Sequence, residues 1–284
     1  MNEKEKNNGF KINFNKGFLS SGKDLVLGDI VVKHPTVEMY WSLGNGFNCE
    51  EVYWEYVSNL LCDPYTSMVE LDDLGLNYLE QTPFDVFVIR WKNAKKSYSD
   101  NKQLYDQFNF NPLNNIKSAL QFFLGTHNFE LIYLTQDDEY YLVDLDLKNE
   151  SGQFTYVISS EIYSAIAEFI SLINCIDTSG RINPADEMTR QILIQSTRNE
   201  VKHKQKYKDG KSNDIDYISG AIDIICTSSN SVSYLTISKY SIYQLLRSTR
   251  LVTKRIHYDN LMYGIYSGNV NPEKIDKDEL TLID

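Results

Sequence analysis

Residues 112–173 read PLNNIKSALQFFLGTHNFELIYLTQDDEYYLVDLDLKNESGQFTYVISSEIYSAIAEFISLI, and this stretch decides the fold class. Its beginning, up to Gly125, carries apolar residues at helical spacing and predicts an amphipathic helix. Two alternating runs around the acidic turn 136–139 then predict a β-hairpin, with 154–158 as a third strand. Ser159 or Ser160 caps a second amphipathic helix. Helices and antiparallel strands in one segment indicate an α+β protein.

Upstream of this stretch, short strands give way to helices. Residues 10–32 alternate or are β-branched around Gly28-Asp29, which predicts two or three short strands. Pro35 ends the sheet because it lacks a backbone donor, and Thr36 can cap a helix that begins at Val37. Further helices are predicted over 50–61, over 64–74 and from Thr82.

Downstream, the last third is predicted to be helical. Asn183-Pro-Ala-Asp-Glu187 resembles a capped helix start with proline at the first position, and that helix ends at Asp209-Gly210. Two more helices are predicted over 215–226 and 236–256, the longer one with its apolar stripe buried. That stripe consists of Ile242, Leu245, Leu246, Thr249, Val252 and Ile256. The whole chain is thus predicted to be α+β and mainly helical, with short N-terminal strands and a central β-hairpin or small sheet.

The predicted organisation has four parts. These are a flexible N-terminus (1–9), strands plus helices (10–111), a small α+β insertion (112–158) and a C-terminal helical region (159–284).

The composition is that of a globular protein rich in tyrosine. Of 284 residues, 42% are hydrophobic and 24% charged, the net charge is −11, and there are 20 tyrosines. No apolar run reaches the roughly 20 residues that a membrane helix needs, and the charged N-terminus is not typical of a signal peptide. Four dispersed cysteines predict free thiols in a reducing cytosol.

Motifs for catalysis are weak. Gly17-Phe-Leu-Ser-Ser-Gly-Lys-Asp24 approaches a phosphate-binding loop, but it ends in Asp24 where a magnesium-binding hydroxyl is needed, and a strand follows it. The four histidines are isolated, which argues against zinc. The carboxylates of Asp72-Asp73 and 137–139 lie in predicted turns. In turns, carboxylates are more commonly solvated charges than acid–base catalysts. We therefore expect no catalytic, cofactor-binding or metal-binding residues.

Two basic stretches stand out in this acidic chain, one over 190–211 and one formed by Arg247, Arg250 and Lys254 on one helix face. Solvated helix faces, an acidic protein partner, the protein's own acidic segments and nucleic acid all remain open as explanations. The acidic total disfavours nucleic acid, because phosphate contacts give affinity only where positive potential dominates.

Several segments resemble a known family. These are Leu25–Gly44 with its His34-Pro-Thr36, Leu71-Asp-Asp-Leu-Gly-Leu-Asn-Tyr78 before Phe84-Asp-Val-Phe87, a basic helix over 189–208, and Tyr258-Asp-Asn-Leu-Met-Tyr-Gly-Ile-Tyr-Ser-Gly-Asn-Val-Asn-Pro-Glu-Lys-Ile275. Together they are similar to an uncharacterised family of tail-module proteins of bacteriophages that infect Firmicutes. The last segment is the most specific of them.

The resemblance implies a non-catalytic role in tail morphogenesis in the host cell cytoplasm. It suggests a tail assembly chaperone that binds the tape-measure or tube protein, with no nucleic acid, membrane or cofactor involved. A virion component, such as a tail or baseplate subunit, is the alternative, and an enzyme of unknown class comes third. Self-association and a location in the virion remain open.

Taken with the resemblance, the C-terminal tyrosines suggest a protein-interaction surface, because aromatic residues are enriched in contact surfaces. The candidate residues are Arg247, Arg250, Lys254, Tyr258, Tyr263 and Tyr266. In the alternative interpretation, this tyrosine-rich end packs back on the protein's own helices.

Overall fold

The computed structural model describes residues 14–46, 48–108, 110–125, 128–135, 138–178, 181–207, 217–271 and 274–275. It is 61% helical, with 11 α-helices and two small antiparallel sheets over that part of the chain. The predicted class, α+β and mainly helical, is confirmed. The predicted flexible N-terminus, the strand residues 10–13, the end of the basic helix at 209–210 and the tail beyond 275 lie outside the described residues.

The elements follow one another along the chain as helix, hairpin, helices, sheet and helices. The helices are α1 (Lys16–Ser20), α2 (Val37–Trp41), α3 (Cys49–Leu61), α4 (Met68–Asp73), α5 (Pro83–Asp100), α6 (Lys102–Gln107), α7 (Pro112–Leu124), α8 (Ser160–Ile173), α9 (Glu187–Tyr207), α10 (Tyr217–Ser228) and α11 (Ile242–Tyr266). The strands are β1 (Leu25–Leu27), β2 (Ile30–Val32), β3 (Phe129–Leu134), β4 (Glu139–Asp144) and β5 (Val157–Ile158).

Both sheets have the antiparallel pairing that the alternation predicts. Strands β1 and β2 form a hairpin in which Leu25 pairs with Val32, and Gly28 in their turn has a φ of 63°. The turn needs this left-handed backbone, which glycine adopts without a steric penalty. The second sheet has the order β3-β4-β5, so the predicted central hairpin and its third strand are confirmed.

Side-chain caps explain where several helices begin. The hydroxyls of Thr36 and Ser159 accept hydrogen bonds from the first-turn amides of α2 and α8. Thr82 forms a reciprocal capping box with Asp85 at the start of α5. Each of these caps satisfies a backbone donor that the helix leaves unpaired, and the three predicted starts are confirmed.

Helix α8 lies at the centre of the core. Its Tyr163, Phe169 and Ile170 are almost fully buried, and it packs against α3, α5 and α11. The Tyr163 hydroxyl donates to the Leu60 carbonyl at 2.9 Å, and the Tyr53 hydroxyl donates to Asn174 Oδ1 at 2.6 Å. These internal bonds let two tyrosines replace purely apolar side chains in the core.

Several predicted helix boundaries are wrong, and one of them is the start of α4, which begins at Met68 and not at Pro64. Helix α9 begins at Glu187 and not beside Asn183, because the Asp186 carboxylate accepts the Thr189 amide at 2.7 Å and takes the capping role. Helix α11 begins at Ile242, since Ser241 forms a capping box with Gln244, and it continues to Tyr266 rather than ending at Ile256. The residues before it form a short 3-10 helix, Ile237–Lys239.

Residues 17–24, which approach a phosphate-binding loop in sequence, have a structural explanation. Gly22 has a φ of 67° and leads through Asp24 into strand β1. The Asp24 carboxylate accepts the His34 amide at 2.7 Å and so ties the two ends of the hairpin together. The four cysteines are free, as predicted.

Burial of His34 predicts a pH dependence of stability. The imidazole is 3% exposed and lies between the rings of Phe169 and Tyr243, and burial lowers its pKa below 6.5 despite the opposing Leu19 and Pro35 carbonyls and the Asp24 charge. As the pH falls, His34 is therefore protonated in the unfolded chain before it is protonated in the folded protein. This contribution to stability is present above pH 6.5 and is lost as the pH falls below 6.5 and through the lowered pKa of the folded state. The free energy of unfolding, measured with urea, should be lower at pH 5.5 than at pH 7.5, and His34→Phe should reduce this difference. An equal loss in both proteins would contradict the assignment.

Candidate protein-interaction surface

The first half of α11 is docked on the rest of the protein. The Ile242 amide donates to the Pro35 carbonyl at 2.8 Å, and the Val37 amide donates to the Tyr240 carbonyl at 2.9 Å. Ile242, Leu245 and Leu246 are buried against α10, α8 and α1. This part of the predicted apolar stripe is confirmed.

The second half of α11 leaves large apolar side chains in solvent. Ile256 is 51% exposed, which corrects its predicted burial, and Tyr263 and Tyr266 are 79% and 81% exposed. These three residues are called the outer face below. They continue the buried stripe of the first half, because Leu245, Thr249, Val252, Ile256, Asp259, Tyr263 and Tyr266 follow at alternating spacings of four and three residues. Such spacing keeps side chains on one side of a helix.

The six predicted interaction residues all lie on α11, but on two of its sides. Arg247, Arg250, Lys254 and Tyr258 form one row, whereas Tyr263 is turned from Tyr258 by about 140° at 100° per residue. The basic row is the name used here for Arg247, Arg250 and Lys254, and its two arginines donate hydrogen bonds within the protein. Arg247 donates to the Tyr243 hydroxyl at 3.1 Å and Arg250 to the Cys175 carbonyl at 2.9 Å. Tyr263 and Tyr266 therefore offer more accessible contact area than the basic row does.

Two glycines explain the Tyr-Gly-Ile-Tyr-Ser-Gly segment that ends α11. Gly268 has a φ of 73°, its amide donates to the Ile265 carbonyl, and the Asn269 amide donates to the Gly264 carbonyl. This is a Schellman end, which needs a left-handed residue. At Gly264, an added Cβ would come within 2.6 Å of Val270 Cγ2, so only glycine allows the returning chain to approach this closely.

Changing Gly268 to alanine is expected to loosen this helix end locally. A left-handed alanine costs about 1–2 kcal/mol relative to glycine, so the protection of the Asn269 and Val270 amides from hydrogen exchange should fall about tenfold. The free energy of unfolding of the whole protein should fall by no more than this local cost of about 1–2 kcal/mol. Gly46→Ala, which also alters a glycine of positive φ with open space around it, is the control and should leave those two amides unchanged.

Helix α10 connects α11 to the N-terminal half, and Glu50 holds its start. The Glu50 carboxylate accepts the Ile218 amide at 3.0 Å and the Tyr40 hydroxyl at 3.0 Å, and it also accepts the Trp54 indole N–H. The negative charge stabilises the positive end of the α10 dipole. No local pattern in the sequence marks Glu50, because only the fold brings the first turn of α3 to the first turn of α10.

The other basic stretch is partly neutralised by the protein's own acidic residues. Arg198 of α9 pairs with Asp72 at 3.1 Å and with Asp73 at 2.7 Å, which attaches α9 to α4. These carboxylates lie in the last turn of α4 and not in a turn between elements, which corrects that placement, although the Asp73 side chain is still 61% exposed. Acids are unfavourable at the C-terminal end of a helix, and Arg198 offsets this cost. The internal explanation, left open above, therefore holds for Arg198.

Two kinds of feature are absent from the part of the chain that the structure describes. It contains no group of three His, Cys, Asp or Glu side chains placed to hold a metal ion. None of the helices described there is both long enough and apolar enough to cross a membrane.

Comparison with known proteins supports the bacteriophage interpretation for the C-terminal part. Residues 209–280 match the family model of the YomV second domain, which is phage-associated. The matched range contains α10, α11 and thus the whole outer face. The match favours a phage protein. No curated protein and no solved structure matches the chain.

Proposed function

We propose that this protein is a non-catalytic tail assembly chaperone of a bacteriophage, which binds the tape-measure protein through the outer face of α11. The observation that carries the proposal is the apolar stripe of α11, which runs out of the core and continues in solvent as Ile256, Tyr263 and Tyr266. The family match over 209–280 supports the phage context.

Exposed apolar residues in a row on one helix face suit a helical partner. Contiguous apolar surface on a soluble protein is typical of interaction sites, and an amphipathic helix recognises such a stripe with residues spaced by three and four. The two tyrosines are amphipathic, so they tolerate water when the partner is absent and add contact area when it is bound.

The proposed mechanism is protection of apolar stripes before tail assembly. A long helical tape-measure protein exposes such stripes until the tube forms around it, and exposed stripes promote aggregation. The outer face would cover them in the host cell cytoplasm and would be displaced as the tube polymerises. No bond is made or broken in this process.

A structural tail or baseplate subunit is the second candidate, because a stripe with this spacing also suits permanent helix packing in a particle. The experiment is co-expression with the tape-measure protein of the same phage, followed by size-exclusion chromatography and mass spectrometry of purified virions. A soluble complex together with absence from virions is the expected result. A fixed number of copies in mature virions would overturn the chaperone proposal in favour of the second candidate.

A further inference from the structure

A cleft of about 420 Å³ lies along one side of α8. Its floor is made of short side chains of α8, Ser164, Ala167 and Ser171. Its apolar walls come from the end of α3, the start of α5, the last turn of α8 and the segment after α8, and they include Leu61, Pro64, Pro83, Leu172 and Ile176. Its volume is in the range of small-molecule and side-chain binding sites.

One edge of the cleft is closed by three contacts between segments that are far apart in sequence. Arg181 pairs with Asp63 at 2.9 Å, and its guanidinium lies 5.1 Å from the centre of the Tyr65 ring. The Tyr65 hydroxyl donates to Asn183 Oδ1. Asp63 is 7% exposed, and its other oxygen accepts the Tyr65 amide at 3.3 Å. The two opposite charges therefore cancel at this edge of the cleft.

The hydroxyl of Ser171 in the floor is available to a ligand. A serine inside a helix commonly donates to the carbonyl four residues earlier, as Ser164 does to Ser160 at 2.8 Å. Ser171 is 8% exposed and lines the cleft, yet its hydroxyl has no hydrogen-bond partner among the residues that the structure describes. Its oxygen is accessible from the cleft, so a ligand group there can replace water as its hydrogen-bond partner.

The charge of the cleft indicates which ligand group it takes. Once Asp63 and Arg181 neutralise each other, the carboxylate of Glu168 at the rim leaves one negative charge. Glu168 is exposed and forms no ion pair within the described ranges. We propose that the cleft binds an alkylammonium group, with the methylene chain against the apolar walls and the ammonium between Ser171 and Glu168.

An alkylammonium group can come from two sources, a lysine side chain of a partner and a free diamine. Isothermal titration and amide-shift NMR of the full chain should therefore use two probes, 1,5-diaminopentane and the capped tripeptide Ala-Lys-Ala. Saturable binding of either probe, with shifts at Ala167 and Ser171, is the expected result. Tighter binding of the tripeptide would assign the site to a partner lysine, and tighter binding of the diamine would assign it to a free amine.

Matched variants make the test specific. Glu168→Gln should weaken binding about fivefold to tenfold, and Ser171→Leu, which fills the floor, should abolish it. Glu161→Gln removes an exposed carboxylate from the same helix outside the cleft and should leave affinity unchanged. No shift at the cleft with millimolar probe, or equal affinity of wild type and Glu168→Gln, would overturn the proposal. Neither outcome depends on the outer face of α11, so the proposed function is tested separately.

Discussion

Replacing Glu50 with alanine is expected to lower the free energy of unfolding by about 2–3 kcal/mol. The substitution removes the common acceptor of the Ile218 amide, the Tyr40 hydroxyl and the Trp54 indole N–H. Leaving such donors unpaired costs about 1–3 kcal/mol for each buried group, and loss of a charge at a helix N-terminus adds several tenths. Water reaches this half-buried site and limits the total.

Urea denaturation followed by circular dichroism measures this loss, and hydrogen exchange locates it. The amides of α10 should lose more protection than those of α7, because α10 is held directly by Glu50. Glu51→Ala is the matched control, since Glu51 is the next residue, is exposed and has no contact of this kind with α10. Equal stability of the Glu50 and Glu51 variants would show that the cap does not hold α10.

The largest functional effect is expected from the outer face of α11. The triple variant Ile256→Ser, Tyr263→Ser and Tyr266→Ser should weaken the proposed binding of the tape-measure protein at least a hundredfold. Truncation of a central aromatic contact commonly costs about 2 kcal/mol or more, which is roughly thirtyfold for one residue. Because these side chains are mostly in solvent, the free energy of unfolding should change by less than about 1 kcal/mol.

The control for this variant changes exposed apolar residues elsewhere. Leu104→Ser with Phe108→Ser alters side chains that are 53% and 70% exposed at α6, outside the matched domain. This double variant should bind the partner as wild type does. A triple variant that binds normally would refute the assignment of the surface. A triple variant that unfolds would instead support packing of the tyrosines on the protein's own helices.

Local signals in the sequence predicted much of the fold. The starts of α2, α5 and α8 follow from Thr36, Thr82 and Ser159, whose hydroxyls act within one helical turn. Caps of this kind depend on neighbouring residues only, so no knowledge of the tertiary structure is needed. The boundary errors at Asn183 and Thr236 have the same origin, since a second capping residue, Asp186 or Ser241, follows closely and takes over.

The candidate site was predictable only in part. Tyr263 and Tyr266 were identified from the sequence segment, whereas periodicity alone placed Ile256 in the core. Periodicity reports that one side of a helix is apolar, but it does not report how far the neighbouring elements extend along that side. Helix α11 is longer than the surface against which it packs, and Ile256 lies beyond that surface.

The α+β class, the central hairpin and the capped helices could be predicted from local patterns, because these depend on contacts between residues close in the chain. Which apolar residues are covered and which charges are paired depends on the packing of the whole fold. Glu50 meets α10, Arg198 meets Asp72, and Asp63 meets Arg181 only when distant segments are packed together. Burial of side chains and pairing of charges depend on how elements that are distant in the chain pack against each other, and local sequence patterns do not specify that packing.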